Sequence, residues 1–171
     1  SGLQILAGLA RDKSTAELVN VVPSNKPSDA YKAVAEQAKE FLPTYMHRWM
    51  NRAVCKRTVM TIPYNATKDS SRKYIREALL EEGIDPTKDE LTQVVNAVYN
   101  SMDAIVPGPM QVMRWIKKHV GLYIRNGAKE VEWVTPSGFI VNQRRDDIET
   151  ERMELQLLGR TSIRLPTGKS K

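Results

Sequence analysis

Hydrophobic residues recur every three or four positions over most of residues 3–125, which is the spacing typical of amphipathic helices. The pattern predicts helices over residues 3–10, 29–42, 45–61, 71–82, 88–104 and 110–125. Ser28 is expected to cap the second helix, and Thr87 with Glu90 has the spacing of a capping box. Pro43 and Pro63 should end the helices before them, because proline removes a backbone donor and restricts the residue that precedes it.

After Glu130 the period changes to two, which indicates β-strands. Apolar and polar residues alternate up to a turn at residues 136–138, so this segment is predicted to form an antiparallel hairpin. Residues 153–158 and 161–165 are expected to pair in the same way. The sequence therefore predicts an α+β protein that is mainly helical, with a C-terminal antiparallel β section.

The composition is that of a folded domain, with 41% hydrophobic and 27% charged residues. No apolar run approaches the roughly 20 residues that a membrane-spanning helix needs, so no membrane partner is expected. A single cysteine, Cys55, excludes an internal disulfide and a cysteine-rich metal site. These features favour a reducing compartment.

Positive charge is concentrated in the middle of the chain. The net charge is +6, yet residues 43–76 alone carry +7. A localised basic stretch favours a polyanionic partner, although a solvated helix face is the more ordinary reason for scattered cations. The stretch contains one acid, Asp69, and eight basic residues: Arg48, Arg52, Lys56, Arg57, Lys68, Arg72, Lys73 and Arg76.

Within this stretch, Arg52, Lys56, Met60 and Tyr64 are four residues apart. Such steps drift by only about 40° each on a helix, so the four side chains should share one face. Arg and Lys suit phosphate oxygens, and a thioether with an aromatic hydroxyl suits a base and a sugar. We call these four residues the stripe; it is predicted to bind a phosphorylated ligand.

The usual catalytic constellations are absent from the sequence. His47 and His119, the only histidines, do not sit beside a cysteine or aspartate in a nucleophilic pattern. Cys55 is interpreted as a packing residue, and no metal ligands are predicted.

Three segments together resemble the single-subunit DNA-dependent RNA polymerases of phages and mitochondria. The stripe segment 52–64 is similar to motif B of that family, with Val-Met-Thr between the Lys and the Tyr. Residues 133–139, Trp-Val-Thr-Pro-Ser-Gly-Phe, resemble a hairpin of the family, and residues 1–4 resemble the end of motif A. Asn65 departs from the pattern, which usually has glycine after the motif B tyrosine.

The resemblance implies a right-hand polymerase fold: palm-derived helices over residues 1–42, fingers over 43–128 and a β-hairpin region over 129–171. It implies that Arg52 and Lys56 bind the triphosphate of the incoming ribonucleotide, with Lys56 and Tyr64 as catalytic positions. Met60 would contact the nucleotide or template base, and Tyr64 would favour ribose over deoxyribose. Two further cations match basic positions of the family and are expected to contact nucleic acid: Arg57 and Arg72.

The resemblance also implies partners and missing parts. The partners would be template DNA, ribonucleoside triphosphates and the RNA product, in the cytoplasm of an infected bacterium if a phage encodes the chain. The metal-binding aspartates of motifs A and C have no counterpart here, so the ligands of Mg²⁺ would lie outside this chain. The chain alone is expected to be inactive, and a surface that would face the palm favours self-association.

Two alternatives stay open on the sequence. A family A DNA polymerase shares the Arg-x3-Lys-x7-Tyr spacing, although it generally has Phe at the position of Met60. A non-catalytic nucleic-acid-binding module that uses the basic helix alone is the other.

Overall fold

The computed structural model describes the backbone of residues 2–144, 148–155 and 161–170 and the side chains of residues 2–144 and 151–153. The helices of this part of the chain are α1 (Gly2–Ala10), α2 (Lys13–Leu18), α3 (Ala30–Lys39), α4 (Arg52–Thr61), α5 (Lys68–Glu81), α6 (Lys88–Ile105) and α7 (Pro107–Arg125). Two 3₁₀ helices flank α4, at Thr44–Trp49 and Ile62–Tyr64. The strands are β1 (Glu130–Val134), β2 (Ile140–Arg144), β3 (Ile148–Leu155) and β4 (Thr161–Ser170).

The chain divides into two compact units, residues 1–117 and residues 118–171. In the first unit α3 packs against α4 and α6, and α5 packs against both α4 and α6. Each helix contributes the apolar face that its periodicity predicts. Their fully buried side chains form one core: Val34 and Ala38 from α3, Val54 and Val59 from α4, Ile75 and Leu79 from α5, and Val94, Val98 and Met102 from α6.

In the second unit, the strands form two separate antiparallel pairs. β1 pairs with β2, with Trp133 opposite Val141, and β3 pairs with β4. The turn between β1 and β2 closes with a hydrogen bond from Gly138 N to Thr135 O of 2.9 Å, and Gly138 has a φ of 83°. Glycine adopts this left-handed backbone without strain. The pairing of β1 with β2 across this turn confirms the predicted hairpin. Residues 156–158 of the predicted strand 153–158 lie outside the described residues.

The predicted helix over residues 45–61 is wrong in one respect, because it is divided. A 3₁₀ helix ends at Trp49, and Asn51 has extended backbone and caps α4, with its side chain accepting a hydrogen bond from Val54 N. Asparagine is among the best N-caps because its side-chain oxygen satisfies a free backbone donor at the helix start. Arg48 therefore belongs to a different helix from Arg52 and does not continue the stripe.

Four other features of the helices also differ from the prediction. Asp29, rather than Ser28, caps α3, and α5 begins at Lys68 because Thr67 caps it. The short helix α2 was not predicted. α7 begins at Pro107 and not at residue 110. Proline is tolerated there because the N–H of the first helical residue has no hydrogen-bond partner within the helix. The capping box of Thr87 and Glu90 is confirmed at the start of α6.

Asp12 connects the starts of two helices. Its carboxylate caps α2 through Thr15 N at 3.1 Å and also accepts a hydrogen bond from Gly108 N in α7 at 3.1 Å. A Cβ at position 108 would lie 2.6 Å from the Asp12 side chain, so this approach requires glycine. The hydrogen bond from the Thr15 hydroxyl, together with these amides, holds the pKa of Asp12 below its ordinary value of 3.8 although burial opposes it.

No helix in the described ranges is both long and apolar enough to cross a bilayer.

We expect Asp12→Ala to lower the free energy of unfolding at neutral pH by about 1–2 kcal/mol, because a cap and a second amide bond are lost. A carboxylate with a lowered folded pKa stabilises above its unfolded pKa, and the effect is lost as the pH falls through the folded pKa. The difference from the wild type should therefore shrink below pH 3.8. Urea unfolding at several pH values measures it.

Asp69→Ala provides the control for this experiment. Asp69 pairs with Arg72 on the surface and is 89% exposed, so its loss should change stability by less than about 0.5 kcal/mol. Equal losses in the two variants, or a pH-independent loss in Asp12→Ala, would contradict the assigned role.

Candidate functional site

α4 has one buried and one exposed face. Its core side consists of Val54, Cys55, Thr58 and Val59, all buried, while Arg52, Lys56, Arg57 and Met60 are exposed. The three stripe residues of the helix are four apart, so they follow one side over about two turns. Tyr64 is the last residue of the 3₁₀ helix Ile62–Tyr64, and it is 72% exposed.

A cavity of about 700 Å³ lies along this exposed face. Arg52, Met60 and Tyr64 line it on the α4 side. Asp29 and Tyr31, at the start of α3, line it next to Arg52. Other parts of its wall come from α1 and from the segment between α2 and α3: Leu3, Gln4, Leu18, Val19, Asn20, Pro27 and Ser28. Cavities that hold small ligands are typically of about 300–1,000 Å³ and mainly apolar, with a few polar groups that fix orientation.

Arg52, the first residue of the stripe, is held by Asp29, which caps α3, and by Tyr31 of α3. Its Nε donates to Asp29 Oδ2 at 2.7 Å, and its Cζ lies 5.3 Å from the centre of the Tyr31 ring. Burial raises the pKa of Asp29, but the Arg52 guanidinium and the amides of Lys32 and Tyr31 outweigh this and hold the pKa below its ordinary value. Asp29 is therefore a carboxylate at neutral pH.

Lys56 stands one turn beyond Arg52 and is exposed. Its ammonium forms no hydrogen bond or ion pair within the described part of the chain. The three donors of this ammonium are therefore available for an anion.

Tyr64 packs directly on α1. Its hydroxyl oxygen accepts a hydrogen bond from Gly2 N at 3.1 Å. A Cβ at position 2 would lie 3.0 Å from Tyr64 Cζ and from Pro63 Cβ, which is tighter than ordinary contact. Asn65 follows in left-handed backbone, with φ 64° and ψ 33°, a conformation that asparagine adopts more readily than most residues. The turn thus forms with Asn65 in place of glycine.

Arg57 and Arg72 are separate from the cavity. Arg57 donates to Glu77 at 2.9 Å and its guanidinium lies 4.1 Å from the centre of the Tyr74 ring. Arg72 donates to Asp69 at 2.9 Å, and its Nε is buried without a partner. Arg57, on α4, is thus held against α5, and Arg72 lies on α5 itself.

Acids from other parts of the fold reduce the charge of the basic stretch. Asp29 pairs with Arg52, Glu77 contacts Arg57 and Lys73, and Asp85 lies 3.7 Å from Arg76. All three acids lie outside residues 43–76. Arg48 resembles Lys56 in being exposed without an ion pair to any described residue. The available charge is therefore concentrated at fewer positions than the sequence count indicates.

Three residues that contact the stripe were not identified from the sequence as site residues: Gly2, Asp29 and Tyr31. Asp29 is the first residue of the predicted helix, whose cap was expected at Ser28, and its contact with Arg52 spans 23 residues. Tyr31 lies at one of the apolar positions that recur along its helix. Nothing in the local pattern indicates either contact.

The described residues contain no group of three or more His, Cys, Asp or Glu side chains arranged to hold a metal ion. A divalent cation prefers several oxygen ligands, so this part of the chain does not fit a Mg²⁺ centre.

Comparison with known proteins identifies the family. A family model described as DNA-dependent RNA polymerase matches residues 1–170. The chain belongs to the DNA-dependent RNA polymerase family. Over 156 residues it is 31% identical to the mitochondrial DNA-directed RNA polymerase of Mus musculus, which covers 84% of this chain and 13% of the mouse protein.

Phage polymerases are also similar to this member of the family. The DNA-directed RNA polymerase of Enterobacteria phage K11 is 24% identical, covering 99% of this chain and 25% of that protein. T7 RNA polymerase of Escherichia phage T7 is also 24% identical, covering 93% and 24% respectively. The relatives are of the single-subunit phage and mitochondrial type, and the chain spans a quarter or less of their lengths. The family match favours an RNA polymerase over the family A DNA polymerase that the sequence left open.

We expect Cys55 of the native chain to resist alkylation by iodoacetamide at pH 8. Burial raises the pKa of its thiol to about 12, so almost no thiolate is present and the reagent has no access. Mass spectrometry after timed labelling measures the modification. The same chain in urea should react rapidly, and comparable rates in the two conditions would contradict the burial of α4 against the core.

Proposed function

We propose that this chain is the fingers region, with a strip of palm, of an RNA polymerase and that it binds the incoming ribonucleoside triphosphate and template DNA. The observation that supports this most directly is the joint placement of Arg52, Met60 and Tyr64 on one cavity, with Lys56 exposed between them. In this proposal residues 1–42 contribute to the palm, residues 43–128 are the fingers and residues 129–171 are the β-hairpin region.

The triphosphate would bind at the Arg52 end of the stripe. The Nη1 and Nη2 groups of Arg52 make no hydrogen bond to any described residue, and a guanidinium can bind phosphate oxygens with two donors. Lys56 adds a point charge one turn away. In the proposed role it stabilises the negative charge that gathers on phosphate oxygens during phosphoryl transfer.

The base and ribose would lie toward Met60 and Tyr64. Met60 is 47% exposed, and a flexible thioether can pack against a flat base. The Tyr64 hydroxyl already accepts a hydrogen bond from Gly2 N, and it can donate its own hydrogen to a ribose oxygen at the same time. This geometry supports the proposal that Tyr64 distinguishes ribonucleotides from deoxyribonucleotides.

Arg57 and Arg72 remain proposed contacts to nucleic acid. Both are partly exposed, with 61% and 36% of their side chains accessible, and each guanidinium has donors beyond those given to its acid partner. Their acidic neighbours make them weaker phosphate ligands than Lys56, so we assign them to the template and not to the triphosphate.

The proposal does not include bond formation by this chain alone. The described residues do not present ligands for the Mg²⁺ that the family uses, so we propose that the remainder of the polymerase supplies them. The compartment would follow the relatives, either a mitochondrion or the cytoplasm of an infected cell.

We expect Lys56→Ala to weaken the binding of ATP to the 171-residue chain by about tenfold, because a charge-assisted contact to phosphate is lost. Isothermal titration calorimetry, or NMR shifts at millimolar ATP, measures the Kd. Circular dichroism should be unchanged, since Lys56 forms no contact that supports the fold.

Arg48→Ala is the matched control for Lys56→Ala. It removes the same charge from an exposed position. Neither Arg48 nor Lys56 is among the residues that line the cavity, but Lys56 lies between Arg52 and Met60 on α4, whereas Arg48 lies before the start of α4 and outside the stripe. The affinity for ATP should then change by less than about twofold. The proposal is overturned if Lys56→Ala binds ATP like the wild type, or if both variants lose affinity equally.

We expect Tyr64→Phe to reduce the preference for ATP over dATP, because only the hydroxyl that would contact the ribose is removed. The ratio of the two Kd values should approach one, while the aromatic ring still packs against Gly2. Tyr74→Phe is the control, since the Tyr74 ring contacts Arg57 outside the cavity. An unchanged ratio in Tyr64→Phe, or an equal change in Tyr74→Phe, would refute the role in sugar selection.

A further inference from the structure

The carboxylate of Asp29 connects the first turn of α3 to the stripe. Its Oδ1 accepts hydrogen bonds from Tyr31 N at 3.0 Å and Lys32 N at 3.1 Å, which caps the helix. Its Oδ2 accepts the hydrogen bond from Arg52 Nε at 2.7 Å. Each oxygen thus has a separate task, and the helix cap fixes the carboxylate that holds Arg52.

Tyr31 restrains the same guanidinium from a second direction. Its ring centre lies 5.3 Å from Arg52 Cζ, within the range of a cation–π contact. Asp29, Tyr31 and Arg52 all line the cavity. The guanidinium is therefore held at Nε and at its face, while Nη1 and Nη2 form no hydrogen bond with the described residues.

We propose that Asp29 is a positioning residue that orients the Nη1 and Nη2 groups of Arg52 for the phosphates of the incoming nucleotide. This inference rests on the proposed function and adds a residue on a different helix to the site. Asp29 does not contact the nucleotide in this proposal. It acts through Arg52, whose long side chain would otherwise lose many rotamers when it binds.

The negative charge of Asp29 has an opposite effect, because it repels phosphate and offsets part of the charge of Arg52. The two side chains are 38% and 52% exposed, so water and salt screen this repulsion. The hydrogen bond from Arg52 to Asp29 orients the guanidinium in every bound complex, and salt does not screen this orienting effect. We therefore expect orientation to dominate. In that case, removing the charge of Asp29 weakens phosphate binding, whereas it would strengthen phosphate binding if repulsion dominated.

Asp29→Asn is the informative substitution. Asparagine caps a helix as well as aspartate does, so its carbonyl oxygen can retain the bonds to Tyr31 N and Lys32 N. Its amide would then face Arg52 Nε, where two donors cannot form a hydrogen bond. The variant keeps the cap and releases Arg52.

We expect Asp29→Asn to weaken ATP binding by roughly fivefold, since the orienting charge-assisted bond is lost, and to leave adenosine binding unchanged. In the Arg52→Ala background the same substitution should have no further effect on ATP, because there is no guanidinium left to orient. Calorimetry on the 171-residue chain gives both results. A Kd for ATP that is unchanged or tighter, or an additive loss in the double variant, overturns the proposal.

Asp69→Asn is the matched control. It makes the same change in charge and also breaks an aspartate–arginine pair at the start of a helix, that of Asp69 with Arg72, but outside the cavity. It should change ATP affinity by less than about twofold. An equal loss in both aspartate variants would show that the effect does not depend on the contact of Asp29 with Arg52, and would overturn the positioning role. A pure net-charge effect would instead tighten ATP binding in both variants.

The two proposals can fail separately. If Lys56→Ala and Arg52→Ala both bind ATP like the wild type, the proposed function fails and Asp29 has no phosphate contact to support. If both of these variants bind ATP weakly and Asp29→Asn does not, only the positioning role is overturned.

Discussion

The direction in which the stripe faces depends on where α4 begins, and Asn51 determines that point. Its side-chain oxygen accepts the hydrogen bond from Val54 N, and its amide donates to both carboxylate oxygens of Glu82 at 2.8 and 2.9 Å. Glu82 follows α5, so one side chain both starts α4 and connects it to the helix beside it. With this start, Val54 faces the core and Arg52 faces the cavity. A helix continuing from Tyr45 would not need this cap.

The sequence predicts local features well and distant contacts poorly. All four stripe residues lie within 13 positions, so helical periodicity alone is enough to place them on one side. Local sequence patterns also identified every described α-helix except α2, the capping box at Thr87 and the hairpin at Trp133. The contacts of Arg52 with α3 and of Tyr64 with Gly2 span 23 and 62 residues, and no periodic pattern records them. These contacts determine which atoms of the stripe remain available.

The charges of residues 43–76 also depend on distant contacts that the local sequence does not record. A count along residues 43–76 treats every cation as equivalent, whereas folding brings acids from outside the segment next to several of them. Surface ion pairs of this kind contribute little to stability, about 0–1 kcal/mol each. Their effect on recognition is larger, because a paired cation attracts a polyanion less strongly. Lys56 and Arg57 are adjacent in the sequence, but only Arg57 pairs with an acid among the residues that the structure describes.

The far end of the stripe is restrained from both sides. Gly2 contacts the Tyr64 ring from α1, while the Tyr99 hydroxyl of α6 donates to Ala66 O at 3.0 Å, just after the left-handed residue Asn65. The side chain of Tyr64 is nevertheless 72% exposed, so its position is set by its backbone and by one backbone amide and not by a surrounding core. An exposed aromatic ring held in this way can accept a ligand with little rearrangement. A larger residue at position 2 would displace the Tyr64 ring although the stripe itself keeps its sequence. In the proposed site, selectivity would therefore depend on α1 as well as on α4.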